Sequence, residues 1–138
     1  MDFEKDNIFG RGEKNVAYAQ YFDGQSYLCP LGGKDSLVSM ANVTFEPGCR
    51  NHWHIHHAKR GGGQILLVTA GEGYYQEWGK EPRKLKPGDV VVIRPEVKHW
   101  HGAAPHSWFS HVAIEVPGEE TSNEWLEAID KAFFDGLE

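Results

Sequence analysis

Long apolar runs are missing from this chain: no stretch approaches the roughly 18 consecutive apolar residues that a membrane-spanning helix needs. Cysteine is scarce. Cys29 and Cys49 are the only two and form no CxxC pair, so there is no disulfide framework and both are expected to be reduced thiols. Positive charge is in deficit, with 14 Lys and Arg against 20 Asp and Glu for a net charge of -6, and the basic residues are spread along the chain. That balance argues against nucleic acid or an anionic membrane as the partner and leaves a small molecule. The first fifteen residues contain no apolar core of signal-peptide length, so a cytoplasmic location is expected. A chain of 138 residues can bury roughly two-thirds of its unfolded surface as one domain. No structural metal is needed for that, and any metal bound would be functional.

Helical periodicity is also lacking until residue 121. What is present instead is a series of short β-branched runs closed by turn residues: 37–45, stopped by Glu46-Pro47-Gly48; 64–70, stopped by Gly71-Glu72-Gly73; then 74–78; 90–93 after Lys86-Pro87-Gly88-Asp89; and 108–116. Short strands with turns at this spacing predict an all-β sandwich or barrel. Three parts are expected within one domain: an arm over 1–36 whose aromatics pack on a sheet of its own chain or of a partner, a barrel over 37–117, and a C-terminal element over 118–138. The tail has two readings. Thr121 to Glu124 fits a capping box with Leu126, Ile129 and Phe133 at helical spacing, or else Trp125-Leu126 finishes a strand and a helix starts at Asp130.

All eight histidines lie between 52 and 111. His54 and His56 are two apart, so on an extended backbone both imidazoles leave one face, as a shared metal requires. His99 would have to be brought to them by the fold. His101, two residues further on, would face the same interior as His99. His111 shares a face with Phe109 and Ala113. A neutral imidazole near a cation suits a general base, although a core histidine satisfied by a neighbouring hydroxyl is the plainer alternative for both. His52, His57 and His106 have no defensible partner spacing and are read as surface or supporting residues. Ala41, Val43 and Phe45 share one strand face and are candidates to line a cavity, while Trp53 and Trp100 alternate with the histidines and should point away.

Gly48 followed by His54-x-His56, Gln64 and Gly71 resembles the first cupin motif, and Gly88-Asp89, Pro95 and His99 resemble the second. The resemblance implies a double-stranded β-helix, the cupin jelly roll, with a divalent metal inside the barrel and a homodimer; the N-terminal arm and the C-terminal element, read as a short helix, complete the expected fold. The family's usual glutamate ligand falls on Gln64, Arg94 and Glu96 stand where Pro and Gly are usual, and Ala103 replaces Asn. VTFEPGCRNHWHIHH, QILLVTAGEGYYQEW, PGDVV, HWHGAAP and SHVAIE together look like the small cupins associated with carboxymuconolactone decarboxylase domains and like the compact manganese-dependent cupin hydroxynitrile lyases.

That closer resemblance implies a metal held by His54, His56, Gln64 and His99, with His101 and His111 in the pocket as proton-transfer residues. Manganese is the metal it implies; iron, zinc and nickel suit the same donors. Three imidazoles and an amide oxygen leave a divalent ion its full charge, which favours Lewis-acid chemistry. Lys59 and Arg60, in the longer loop 57–63, are expected near the pocket mouth, where they would suit a carboxylate or hydroxy substrate; an exposed hairpin tip is the alternative. The expected function is metal-dependent, lyase-type chemistry on a small molecule with histidine proton transfer. A metal-dependent dioxygenase and a noncatalytic small-molecule binding or sensor cupin are the rivals.

Overall fold

The computed structural model describes residues 3–137. A single helical turn, α1 (Phe3–Asp6), precedes short strands β1 (Glu13–Lys14), β2 (Phe22–Asp23) and β3 (Ser26–Pro30). The central strands are β4 (Met40–Phe45), β5 (Arg50–Asn51), β6 (His54–His57), β7 (Arg60–Gly61), β8 (Gln64–Gly71) and β9 (Gly73–Glu77). They are followed by β10 (Arg83–Leu85), β11 (Val90–Ile93), β12 (His99–Ala103) and β13 (Phe109–Glu115). The chain closes with β14 (Gly118–Glu119), β15 (Ser122–Trp125) and α2 (Lys131–Asp135).

Two sheets face each other. The first runs β1-β3-β4-β13-β8-β11 and the second β10-β9-β12-β5-β2, with β6 pairing β12 on one side and β15 on the other; all pairings are antiparallel. This is the all-β architecture that the turn-punctuated runs predicted, in the jelly-roll form that the family resemblance implied, with a short C-terminal helix. Alternation decides which side chains fill the space between sheets: Phe45, Leu66, Val91, Ile93 and Phe109 are buried, while Val90 and Val92 on the same β11 stand in solvent. The turn at Gly71 admits only glycine, because φ is +73° and a Cβ would collide with the Trp108 carbonyl oxygen.

Several boundaries differ from the sequence expectation. The run from Leu37 becomes strand only at Met40, and Leu37 is almost fully exposed. The arm is more than a strap, since β3 pairs with β4 along its whole length and so belongs to the barrel, with the sheet starting well before residue 37. A polar network ties the arm down further. Asn7 Nδ2 donates to Thr44 Oγ1 at 3.0 Å, and its Oδ1 accepts from Asn42 Nδ2 at 2.9 Å and Ser110 Oγ at 3.0 Å, all of them buried. The arm's aromatics pack on the same chain: Phe3 stacks on Trp108 at 5.5 Å and Tyr21 on Trp125 at 4.6 Å.

The tail follows its second reading. Thr121 to Glu124 does not cap a helix, because Ser122–Trp125 is the edge strand on β6, and α2 starts where Asp130 accepts the Phe133 backbone N–H at 3.0 Å. The helix buries Phe134 rather than Phe133, against Trp53, Trp100 and Ile129 in a second apolar cluster behind the barrel. Trp53 and Trp100 therefore serve packing, with Trp100 Nε1 satisfied by Gln76 Oε1 at 2.7 Å. Cys29 and Cys49 are unbridged, and burial pushes the Cys49 thiol up to about 12.

Replacing Asn7 with Ala removes three buried hydrogen bonds and leaves one Asn42 N–H without its acceptor, while Ser110 Oγ keeps Asn42 Oδ1. The expected cost is about 1–3 kcal/mol, read as a lowered urea midpoint with unchanged m-value; an unmoved midpoint would show that the arm is not anchored through this network.

Candidate metal centre

Register is what assembles the site. On β6, His54 and His56 point inward while Ile55 and His57 do not, and β12 lies antiparallel with His99 directly opposite His54. The three rings have centroids 4.1 Å (His54–His99), 5.1 Å (His54–His56) and 5.1 Å (His56–His99) apart. Each offers one ring nitrogen within 4.8 Å of the others, and all three residues are buried.

The outward nitrogens decide the tautomers. His54 Nδ1 meets the His52 carbonyl at 2.8 Å and His99 Nδ1 meets the Val97 carbonyl at 2.9 Å. A carbonyl only accepts, so both protons sit on Nδ1 and each Nε2 keeps a lone pair. His56 Nδ1 meets Asn123 Oδ1 at 2.8 Å in the same manner. Burial, reinforced by the neighbouring His99, holds His54 well below the usual histidine range, and burial lowers His99 to about 4. The His54 and His99 imidazoles are therefore neutral at physiological pH, as metal ligands must be.

Gln64 opens β8 beside this cluster. Its Nε2 donates to Glu115 Oε1 at 2.6 Å, which leaves Oε1 as the other end of the amide. Among the described residues, the buried side-chain polar atoms with no hydrogen-bond partner include His56 Nε2, His99 Nε2 and Gln64 Oε1. Unpartnered lone pairs cost free energy in a dry interior. A divalent ion would satisfy all of them, so the residues present fit a metal centre of three imidazoles and an amide oxygen.

His101 and His111 form a second, hydrogen-bonded pair of buried imidazoles. The His101 backbone N–H donates to Asn51 Oδ1 at 2.9 Å, which fixes the amide and turns Asn51 Nδ2 toward His101 Nε2 at 3.2 Å. An amide nitrogen only donates, so His101 Nε2 accepts and its proton is on Nδ1. That proton points at His111 Nε2, 3.2 Å away, and His111 in turn carries its own on Nδ1, which has no partner. Burial is the leading cause that holds both imidazoles neutral, lowering His101 well below the ordinary range and His111 to about 3.

His54, His56, Gln64, His101 and His111 line a cavity of about 180 Å³, while His99 is not among its lining residues. Ala41, Val43 and Phe45 form part of its wall, with Phe22, Leu28 and Trp125. Lys59 and Arg60 do not reach it. The loop 57–63 folds into an outer ribbon, β7 on β14, made possible by three consecutive glycines at φ +60°, +81° and +93°, and its cations face Glu120 at 3.6 Å and Glu119 at 3.9 Å in solvent. Among the described residues, Glu115 is the one acidic or basic side chain, histidines aside, on the cavity wall, and Lys98 lies elsewhere, 3.6 Å above the Trp78 ring. Of the remaining histidines, His57 is held between Glu96 at 2.5 Å and Glu124 at 2.7 Å, His52 sits 3.8 Å from Asp23, and His106 is exposed. Glu96, standing where the motif has Gly, keeps the left-handed backbone of that glycine at φ +70°.

The sequence reading missed Asn51, Glu115, Asn123 and Trp125. Glu115 was accessible in principle, because it continues the alternation of Phe109, His111 and Ala113. Asn123 and Trp125 were hidden by the capping-box pattern, and Asn51 by lying outside the HxH repeat.

Comparison with known proteins gives a consistent picture. The cupin domain family matches residues 41–110. A curated relative, the (R)-mandelonitrile lyase of Granulicella tundricola, is 42% identical over 113 residues, covering 80% of this chain and 83% of that protein. A crystal structure of a cupin-like protein from Thermotoga maritima superposes with TM-score 0.78 at 40% identity, covering 94% of this chain and 96% of that one. A predicted oxalate decarboxylase from the same organism shares the fold at TM-score 0.65 and 18% identity, covering 75% and 91%.

Two outcomes are expected. Protein purified without chelator carries about one divalent ion per chain by plasma mass spectrometry, and His99→Ala loses it; equal metal in both would show binding elsewhere. Metal-free protein loses stability on acidification, because His99 and His111 titrate lower folded than unfolded. Their contribution is intact above pH 6.5 and falls by about 1.4 kcal/mol per histidine per pH unit below it. His57, raised by Glu124 and Glu96, acts with the opposite sign but is solvent-screened. A urea midpoint that is flat from pH 7 to 5 would contradict the neutral-histidine assignment.

Proposed function

The chain belongs to the cupin family, and from that premise we propose that it is a metal-dependent lyase that cleaves, or in reverse forms, the carbon–carbon bond of a small neutral α-hydroxynitrile. The observation that carries this is the neutral His101–His111 pair sharing one largely apolar cavity with His54 and His56 of the three-histidine cluster. The 42% identity to a mandelonitrile lyase, over four-fifths of the chain, supports the same reaction class.

The wall chemistry favours a neutral substrate over the carboxylate that Lys59 and Arg60 suggested. Both cations are engaged outside, and the charge on the wall is the negative one of Glu115. A cavity of about 180 Å³ lined by Phe22, Leu28, Val43 and Phe45 holds a molecule about the size of a single aromatic ring with a few further atoms.

Bound manganese would polarise the substrate oxygen and favour release of the hydroxyl proton. The chain supplies the rest. His111 Nε2 takes that proton, giving up the bond from His101 Nδ1 at 3.2 Å. As the bond to the nitrile carbon breaks, its electron pair leaves with cyanide and the substrate oxygen forms the carbonyl. Burial disfavours an imidazolium at this position, so the proton passes on to cyanide, leaving hydrogen cyanide, a carbonyl compound and a neutral pair. The surrounding apolar side chains exclude water that would compete for it. A homodimer fits this reading, supported by the exposed Val90 and Val92 on edge strand β11.

Manganese-loaded protein is expected to release benzaldehyde from mandelonitrile, and His111→Ala to keep its manganese while losing about 10²–10⁴ in kcat. Absence of benzaldehyde from either enantiomer, or oxygen uptake under turnover with the iron form, would sink the lyase reading.

A further inference from the structure

We propose that Glu115 is a positioning residue for the metal centre: it fixes which end of the Gln64 amide faces the three histidines. The proposal rests on the metal-centre reading and adds a residue on which that centre depends.

A glutamine amide is nearly symmetric in shape, and only its oxygen can ligate a cation. Turned over, it would aim two N–H groups at the ion. Something must break the symmetry. Glu115 is the cross-strand partner of Gln64 at the open end of the β8–β13 ladder, and its carboxylate accepts from Gln64 Nε2 at 2.6 Å. An ionised carboxylate has no proton to donate, so the amide nitrogen is held on that side. Gln64 Oε1 is then a buried, unpartnered atom, as His56 Nε2 and His99 Nε2 are, and Gln64 shares the cavity wall with His54 and His56. No other hydrogen bond to the Gln64 side chain among the described residues competes for that orientation.

The same contact changes the charge of the site. Read as three imidazoles and an amide, the donor set is neutral. Glu115 places a carboxylate one hydrogen bond behind the amide, polarising it so that its oxygen becomes a stronger donor. The centre thereby gains part of what a carboxylate ligand would give, without using a carboxylate as ligand.

The test is titration of metal-free protein with Mn²⁺ by calorimetry, on wild type, Gln64→Ala, Glu115→Ala, the double variant and Glu115→Gln, with urea midpoints recorded on each. Glu115→Ala is expected to weaken Mn²⁺ binding about 10–100-fold, and to cost nothing further in the Gln64→Ala background, because its action runs through Gln64. Glu115→Gln should also weaken binding, since a neutral second amide can donate to Gln64 Oε1 as readily as it accepts from Nε2 and brings no charge to polarise it. Undiminished binding in Glu115→Ala, an equal loss with and without Gln64, or a Glu115→Gln variant that binds Mn²⁺ as tightly as wild type would each overturn the proposal. Wild-type protein that binds no divalent ion would overturn the metal reading itself, and the proposal with it; binding retained in wild type with additive losses defeats the proposal alone.

Discussion

The structure depends on keeping a set of imidazoles neutral, oriented and dry inside a sheet sandwich. Each of the three clustered histidines gives its Nδ1 proton to an acceptor on the wall, the His52 carbonyl, Asn123 or the Val97 carbonyl. The opposite nitrogens are thereby left as inward lone pairs. Two of the wall acceptors are backbone atoms on or next to the strands that carry the rings, so tautomer and strand geometry are coupled. A register slip of one residue between β6 and β12 would turn His99 to the other face and destroy both at once.

Barrel and site consequently stabilise different things. The aromatic and aliphatic residues between the sheets make the fold, with Trp53, Trp100 and Phe134 sealing its back. The polar interior works against that stability, because buried unpartnered nitrogens and oxygens are costly. Such a cost persists at functional sites, where a ligand supplies what the protein omits. Asn51 and Glu115 illustrate the same device on two sides of the cavity: a group of unambiguous hydrogen-bond polarity, a backbone N–H in one case and a carboxylate in the other, orients an amide that would otherwise be free to turn.

Much of the centre was legible before the fold was known. The HxH spacing on a β-rich segment places two rings on one face by the period of a strand alone, and the turn residues at 46–48, 71–73 and 86–89 delimit the strands on either side. Where the reading went astray, a local pattern was overruled by packing. Thr121 to Glu124 has the composition of a capping box, yet the unpaired edge of β6 takes it as a strand, since an edge beside the metal centre needs a ladder partner more than the tail needs another turn of helix. Lys59 and Arg60 follow His57 closely in sequence and were expected near the cavity, but three left-handed glycines swing their ribbon outward.

The sequence by itself determined the fold class, the inward pairing of His54 with His56 and the net charge of -6, because period, turn chemistry and charge are local or additive properties. Only the tertiary structure decided that His99 stands opposite His54, that His101 leans on His111 under the control of Asn51, that Glu115 backs Gln64, and that the cavity wall carries negative rather than positive charge. Each of these is a contact between segments far apart in the chain, and its polarity depends on which atom of an amide or imidazole faces which neighbour, a choice that no residue makes alone.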